Sequence, residues 1–174
     1  MNQSDDFGLI LKLWPNLVDH YSWEVETKVD AMTDVTRSSA MVTAKTGETL
    51  TILQRNDKTI WAYFELSGAN QFSVNDRLIL RIDKNKPMSY NQDFQELSRE
   101  LGQPVTNWEW NPSLIGFEVG SGKADGGCHK IVTEIYTGEN LVIRYHPNQS
   151  TIRDVIFPLA NGKEAISKAI DIKC

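Results

Sequence analysis

Hydrophobic and polar residues alternate along much of the chain from Ser22 onward, with the period of two that is typical of a half-buried β-strand. Trp23 and Val25 alternate in this way with Glu24 and Glu26. Turn-forming residues separate four further β-branched runs at short and regular spacing, which predicts an antiparallel meander. The five predicted strands lie around Trp23–Glu26 and at Ser38–Ala44, Thr49–Arg55, Thr59–Leu66 and Arg77–Asp83.

The second half of the chain mixes strand and helix patterns. Strands are predicted at Leu114–Val119, at Ile131–Tyr136 and Asn140–Tyr145 as a hairpin, and at Thr151–Phe157. Apolar residues at helical spacing predict helices at Asn91–Leu101 and Gly162–Ile172.

These patterns predict an α+β fold that is mainly β, because no alternation of strand and helix suggests a parallel sheet. We expect an antiparallel sandwich or a strongly bent sheet, with two or three peripheral helices. A chain of 174 residues suits one domain with its own core. Residues 1–21 are interpreted as an N-terminal arm, and residues 22–174 as a single β-rich domain.

Composition narrows the classes of partner. The formal net charge is −5 and the basic residues are scattered, which argues against a nucleic-acid-binding protein. No apolar run approaches the roughly 20 residues of a membrane span. The sequence also shows no export signal. We therefore expect either a cytoplasmic protein or a periplasmic one whose signal has been removed.

Catalytic and metal-binding groups are sparse. The histidines are His20, His129 and His146, and no closely spaced pair of ligands predicts a metal site. A dyad of Cys128 with His146 is geometrically conceivable, but a structural cysteine is the stronger interpretation. Asp30 and Asp34 span a turn, where aspartate side chains commonly cap backbone N–H groups, and we prefer this interpretation to a weak cation site. We expect no catalytic residue, no cofactor and no metal.

Two tryptophans stand out as candidates for contact with a partner. Trp108 and Trp110 lie two residues apart, so both project from one side of an extended segment. Neighbouring Asn107, Asn111 and Pro112 favour an exposed loop. Exposed tryptophans often mark binding surfaces. We predict Trp108, Trp110 and Asn111 as a partner contact, against the alternative that both rings cover the core.

The chain has two cysteines, Cys128 and Cys174, which allow one disulfide. Such a bridge would close a loop of about 45 residues and contribute about 3–4 kcal/mol. Two unpaired thiols are the expectation in the cytosol. Both alternatives stay open on the residues alone.

Several short motifs occur in an order that resembles the VasI group of envelope proteins, which are associated with type VI secretion. They are WEVETKVDAMTD, LILRID, Trp110 with Ser113, EIYTGENLVIR, and VIFPLANGKEAI with the terminal Cys174. The resemblance covers roughly residues 22–88 and 108–174, and the chain departs from it at Gln54, where a cysteine would be expected. It implies a periplasmic accessory or binding role, favours the disulfide, and implies no chemistry.

Three functions follow, in order of support. The first is a non-enzymatic envelope protein that binds or scaffolds a protein partner, such as a component of a secretion system. The second is a cytoplasmic immunity or adaptor protein, whose acidic surface would attract a basic toxin. The third is a small enzyme that uses Cys128 or a histidine.

Overall fold

The computed structural model describes residues 22–72, 78–90, 108–121, 130–148 and 150–170. The predicted arm at 1–21 and the predicted helix Asn91–Leu101 lie outside these ranges. Within them the chain forms ten strands and two helices. The strands are β1 Glu24–Val29, β2 Thr36–Thr43, β3 Thr49–Gln54, β4 Thr59–Glu65, β5 Leu78–Ile82, β6 Met88–Tyr90, β7 Trp108–Asn111, β8 Leu114–Ser121, β9 Asn140–Asn148 and β10 Thr151–Pro158. The helices are α1 Lys130–Thr137 and α2 Gly162–Ala169.

The strands form two antiparallel sheets. The first has six strands in the order β1-β2-β3-β4-β8-β7, and the second has four in the order β10-β9-β5-β6. Strands that are consecutive in sequence pair in both sheets, which gives β1 to β4 the predicted meander. The expected α+β fold with mainly antiparallel strands is therefore confirmed.

The two sheets pack against each other through aromatic side chains. The ring of Phe64 in β4 lies 5.3 Å from that of Tyr145 in β9 and 6.1 Å from that of Phe157 in β10, measured between centroids. Both contacts are edge-on, the arrangement that aromatic quadrupoles favour. One continuous cluster of buried residues runs through both sheets and both helices.

Helix α2 lies against β2 and also contacts β1 and β3. Its buried residues are Gly162, Ala165, Ile166 and Ala169, and this spacing matches the apolar stripe in the sequence. The helix ends at Ala169 rather than at the predicted Ile172, because the backbone of Ile170 is extended.

Two predictions of secondary structure in the second half were wrong. Residues Ile131–Tyr136 form most of helix α1 and not a strand. The predicted fifth strand of the meander, observed as β5, leaves the first sheet and pairs with β9 and β6 in the second. Both differences follow from long-range pairing. Strand β9 pairs with β5 on one side and with β10 on the other, so it has no free side for the predicted hairpin with residues 131–136.

A third difference concerns β1. Its alternating pattern predicts a half-buried strand, but all six residues of β1 are exposed. Within the described ranges, β1 forms one edge of the first sheet and pairs with β2 alone. The β1–β2 hairpin, residues 24–43, therefore has one side without a neighbouring strand in this part of the chain.

Candidate binding surface

The β1–β2 hairpin exposes a set of large apolar side chains. Six large hydrophobic residues are exposed in the described part of the chain, and four of them belong to this hairpin. Met32 at the tip is 92% exposed and Val29 is 63% exposed. The other two on the hairpin are Val25 and Val35. Exposed apolar residues that cluster in this way are typical of an interaction site.

The tip of the hairpin is held by hydrogen bonds to Asp30. Its carboxylate Oδ1 accepts the backbone N–H of Met32 at 2.9 Å and that of Thr33 at 3.2 Å. The first of these bonds holds the pKa of Asp30 below its ordinary value. The carbonyl of Asp30 also accepts the N–H of Asp34, which has a positive φ of 54°. The predicted turn-capping role of Asp30 is confirmed, and Met32 is presented on an ordered turn.

A groove of ≈ 1000 Å³ runs between the β1–β2 hairpin and the β3–β4 turn. The backbone register explains its position, because Glu26 lies opposite Ser39, and Ser39 lies opposite Leu53. Residues that face each other in this way lie on one face of an antiparallel sheet. The lining residues include Glu26, Lys28, Val29, Asp30, Arg37, Ser39, Thr51, Leu53, Arg55, Asp57, Tyr63 and Leu114.

Aromatic residues on this face of the sheet form a stacked cluster with Arg55. The guanidinium carbon of Arg55 lies 3.7 Å from the centroid of the Trp61 ring, and Arg55 Nη2 donates to the hydroxyl of Tyr63. The rings of Trp61 and Tyr63 stack at 5.9 Å. Tyr63 also lies over Gly116 on β8, where an added β-carbon would be 2.5 Å from ring atom Cε1. These contacts fix the ring of Tyr63 at the groove.

Charges of both signs surround the groove. Its lining includes three cations (Lys28, Arg37 and Arg55) and three carboxylates (Glu26, Asp30 and Asp57), so they balance. Asp57 caps the β3–β4 turn by accepting the hydroxyl of Thr59 at 2.6 Å and its N–H at 3.0 Å. These bonds lower the pKa of Asp57. The groove therefore combines apolar, aromatic and charged groups.

The predicted contact residues Trp108, Trp110 and Asn111 do not lie on a loop. They form part of β7, the edge strand of the first sheet opposite to β1. The register pairs Trp108 with Phe117 and Trp110 with Ile115. Asn111 is exposed, and its Oδ1 accepts the N–H groups of Ser113 and Leu114 in the β7–β8 turn. The predicted loop was wrong, whereas the predicted partner contact stays a prediction.

The other predicted groups lie mostly outside the described residues. Both cysteines of the predicted disulfide, Cys128 and Cys174, are among them, as are His20 and His129. His146 is described and lies on β9, half-buried. Across the described ranges, no three His, Cys, Asp or Glu side chains are grouped as a metal site would require.

The sequence interpretation missed a buried acid. Glu48 lies between the predicted strands Ser38–Ala44 and Thr49–Arg55, where a turn residue is normally exposed, but Glu48 is only 1% exposed. Its Oε1 accepts the hydroxyl of Tyr145 at 2.8 Å, and its Oε2 is buried without a hydrogen-bond partner in the described structure. Burial raises the pKa of Tyr145, and the bond to Glu48 raises it further. The pair connects the β2–β3 turn to the second sheet.

The sequence interpretation also missed Met32 and Val29. The sequence does contain a signal. Met32 is an apolar residue in the turn 31–34, and Val29 and Val35 lie on either side of this turn. Turns usually carry polar residues, so Met32 at this position indicates either burial or binding. Because Met32 is exposed, burial is excluded and the side chain is available for binding.

Comparisons with protein-family models, with curated proteins and with solved structures gave no match. The resemblance to the VasI group therefore stays a prediction. Neither described helix is long and apolar enough to cross a membrane.

Proposed function

We propose that the chain is a non-enzymatic binding protein of the bacterial envelope, and that it contacts a protein partner through the β1–β2 hairpin and the adjoining groove. The observation that supports this proposal is the concentration of exposed apolar side chains on the hairpin. An accessory role in a secretion system is the specific form that the VasI resemblance supports.

The chemistry of the surface supports a protein as the partner. Protein interfaces combine an apolar centre with a polar rim and are enriched in Met, Tyr, Trp and Arg. Met32, Tyr63 and Arg55 provide these residue types within one hairpin and groove. The balanced charge of the groove offers no cationic track for a nucleic acid.

We propose the envelope as the location of the protein because of the VasI resemblance and the two cysteines. Periplasmic proteins keep disulfides, and a bridge between Cys128 and Cys174 would suit that compartment. A cytoplasmic immunity protein would use a similar exposed surface, but it would bind a toxin and keep both thiols free.

Matched double variants test the surface. Val29→Thr with Met32→Ser changes the hairpin, and Ile152→Thr with Ile156→Thr makes a comparable change on β10, where both isoleucines are also exposed. Tagged protein would be crosslinked in the host, and its co-purifying proteins would be compared with those of the wild type. We expect the hairpin variant to fold normally and lose its partner, while the β10 variant keeps it.

The outcomes separate the alternatives. A periplasmic envelope component that depends on the hairpin supports the proposal. A single cytoplasmic toxin would instead establish the immunity interpretation. Equal recovery of the same proteins with both double variants would exclude the hairpin as the binding surface.

A further inference from the structure

The β1–β2 register places two cations directly opposite each other. Lys28 on β1 is the partner of Arg37 on β2, and both line the groove. Like charges at directly opposed positions destabilise an antiparallel pair. The register therefore brings two cations together at one position of the groove, although the charges of the whole lining balance.

Two of the three carboxylates that line the groove accept hydrogen bonds from the turns to which they belong, and the third pairs with Lys28. Asp30 binds the N–H groups of its own turn, and Asp57 binds Thr59. Glu26 pairs with Lys28 at 3.0 Å. Arg37 is exposed, and it has no hydrogen bond or ion pair among the described residues beyond a longer-range attraction to Asp30. Arg37 is thus available to bind an anionic group from outside.

Beside these cations the groove provides partly buried apolar side chains. Leu53, Tyr63 and Leu114 line it, and Tyr63 is fixed by Arg55 and by the close approach to Gly116. A volume of ≈ 1000 Å³ is at the upper end of small-molecule pockets. A groove of this size, crossing strands β1 to β4, suits a short stretch of extended peptide.

We infer that the groove takes an extended acidic segment of the protein partner, with a carboxylate bound by Arg37 and Lys28 and a neighbouring apolar side chain on Leu53 and Tyr63. This inference rests on the proposed function and specifies the chemistry of the partner. A guanidinium binds a carboxylate with two parallel hydrogen bonds, so Arg37 provides the main specificity.

A displayed library of random peptides tests the charge preference. Peptides would be selected on the wild-type protein and counted for acidic residues, and the best would be synthesised and titrated by fluorescence or NMR. We expect enrichment of Asp and Glu beside apolar residues, and weaker binding as salt is raised. Arg37→Glu should weaken the binding of the selected peptides by about tenfold or more, because a charge-assisted pair between Arg37 and a peptide carboxylate is replaced by a repulsion.

Arg81→Glu provides the matched control. It makes the same change of charge at an exposed position on β5, in the other sheet. This variant should bind the selected peptides like the wild type, and circular dichroism should show that both variants are folded.

Selected peptides that lack acidic residues, or that bind Arg37→Glu as tightly as the wild type, would overturn the inference. So would a library that yields no binder whose resonance shifts map to Leu53 and Tyr63. The proposed function is judged separately, because loss of the cellular partner in the hairpin double variant does not depend on charge.

Discussion

Trp23 lies directly against Gly162 and occupies the space that a side chain at position 162 would need. A β-carbon added to Gly162 would stand 2.7 Å from ring atom Cε2 of Trp23. The indole Nε1 of Trp23 donates to the carbonyl of Pro158 at 2.8 Å, which fixes the ring in place. The residue just before β1 is thereby attached to the start of α2, and the base of the exposed hairpin is anchored to the core.

This contact predicts that Gly162→Ala destabilises the protein. Alanine is favoured over glycine within a helix by about 1 kcal/mol, so helix propensity alone predicts the opposite sign. The overlap with Trp23 should dominate, because overpacking costs about 1–3 kcal/mol. Urea denaturation of the variant and the wild type measures the difference.

The same substitution in a Trp23→Ala background is the control. With the indole removed, Gly162→Ala should be neutral or stabilising relative to Trp23→Ala alone. If Gly162→Ala is equally harmful in both backgrounds, the contact with Trp23 is not the cause.

Asp83 joins the end of β5 to the turn between α1 and β9, and Asp83→Ala should loosen that junction. Its carboxylate accepts the N–H of Asn140 at 2.9 Å and that of Glu139 at 3.1 Å. Its backbone has a positive φ of 49°, which alanine tolerates less well than aspartate. We expect a loss of about 1–3 kcal/mol in the free energy of unfolding.

Asp83→Asn distinguishes these causes from a general effect of mutation. Asparagine keeps an acceptor oxygen and tolerates a positive φ, so its loss should be clearly smaller than that of alanine. Equal losses in the two variants, measured by thermal or urea unfolding, would refute the proposed role of the carboxylate.

The buried pair of Tyr145 and Glu48 predicts a pH dependence on the alkaline side. The pKa of Tyr145 is raised in the fold, first by burial and then by its hydrogen bond to Glu48. The folded protein therefore holds this proton more tightly than the unfolded chain. The resulting stability is complete below the unfolded pKa of about 10 and is lost as pH rises through the folded pKa.

Tyr145→Phe tests this assignment. At neutral pH the variant should be less stable by about 1–3 kcal/mol, because Glu48 loses its hydrogen-bond donor in a buried position. Above about pH 10 its stability should fall less steeply than that of the wild type, as followed by urea unfolding at several pH values. Parallel alkaline curves for the two proteins would contradict the assignment.

The period-two pattern was a good guide to the first sheet, because hairpins pair neighbours in sequence. Strands β2, β3 and β4 lie close to their predicted positions, and their inward residues, such as Leu50 and Phe64, are buried. Strand β5 has the same local pattern but belongs to the other sheet. Its partner on β9 lies far along the chain, and local alternation carries no information about such pairing.

Helix α1 shows why short apolar runs are ambiguous. Ile131, Val132 and Ile135 are all buried, which fits one face of a helix, but isoleucine and valine also favour strands. Tertiary packing decided between the two. Glu48 was unpredictable for a related reason, because Tyr145, which supplies its hydrogen bond, is 97 residues away.

The predicted contact residues and the exposed hairpin lie at opposite edges of the first sheet. Trp108 and Trp110 lie on β7, and four of the six exposed large apolar residues in the described ranges lie on the β1–β2 hairpin at the other edge. The alternation of Trp23 and Val25 with Glu24 and Glu26 predicts one buried face for this strand. Exposure depends on what covers a strand, and the sequence of the strand does not contain that information.

Photo-crosslinking from the hairpin tip tests the binding role most directly. Benzoylphenylalanine would replace Met32, which is 92% exposed, and in a parallel sample Ile156, which is 54% exposed on β10. After irradiation in the host, a binding hairpin should give one discrete crosslinked partner from position 32 and none from position 156. No product from position 32, or the same products from both positions, would contradict a binding role for the hairpin.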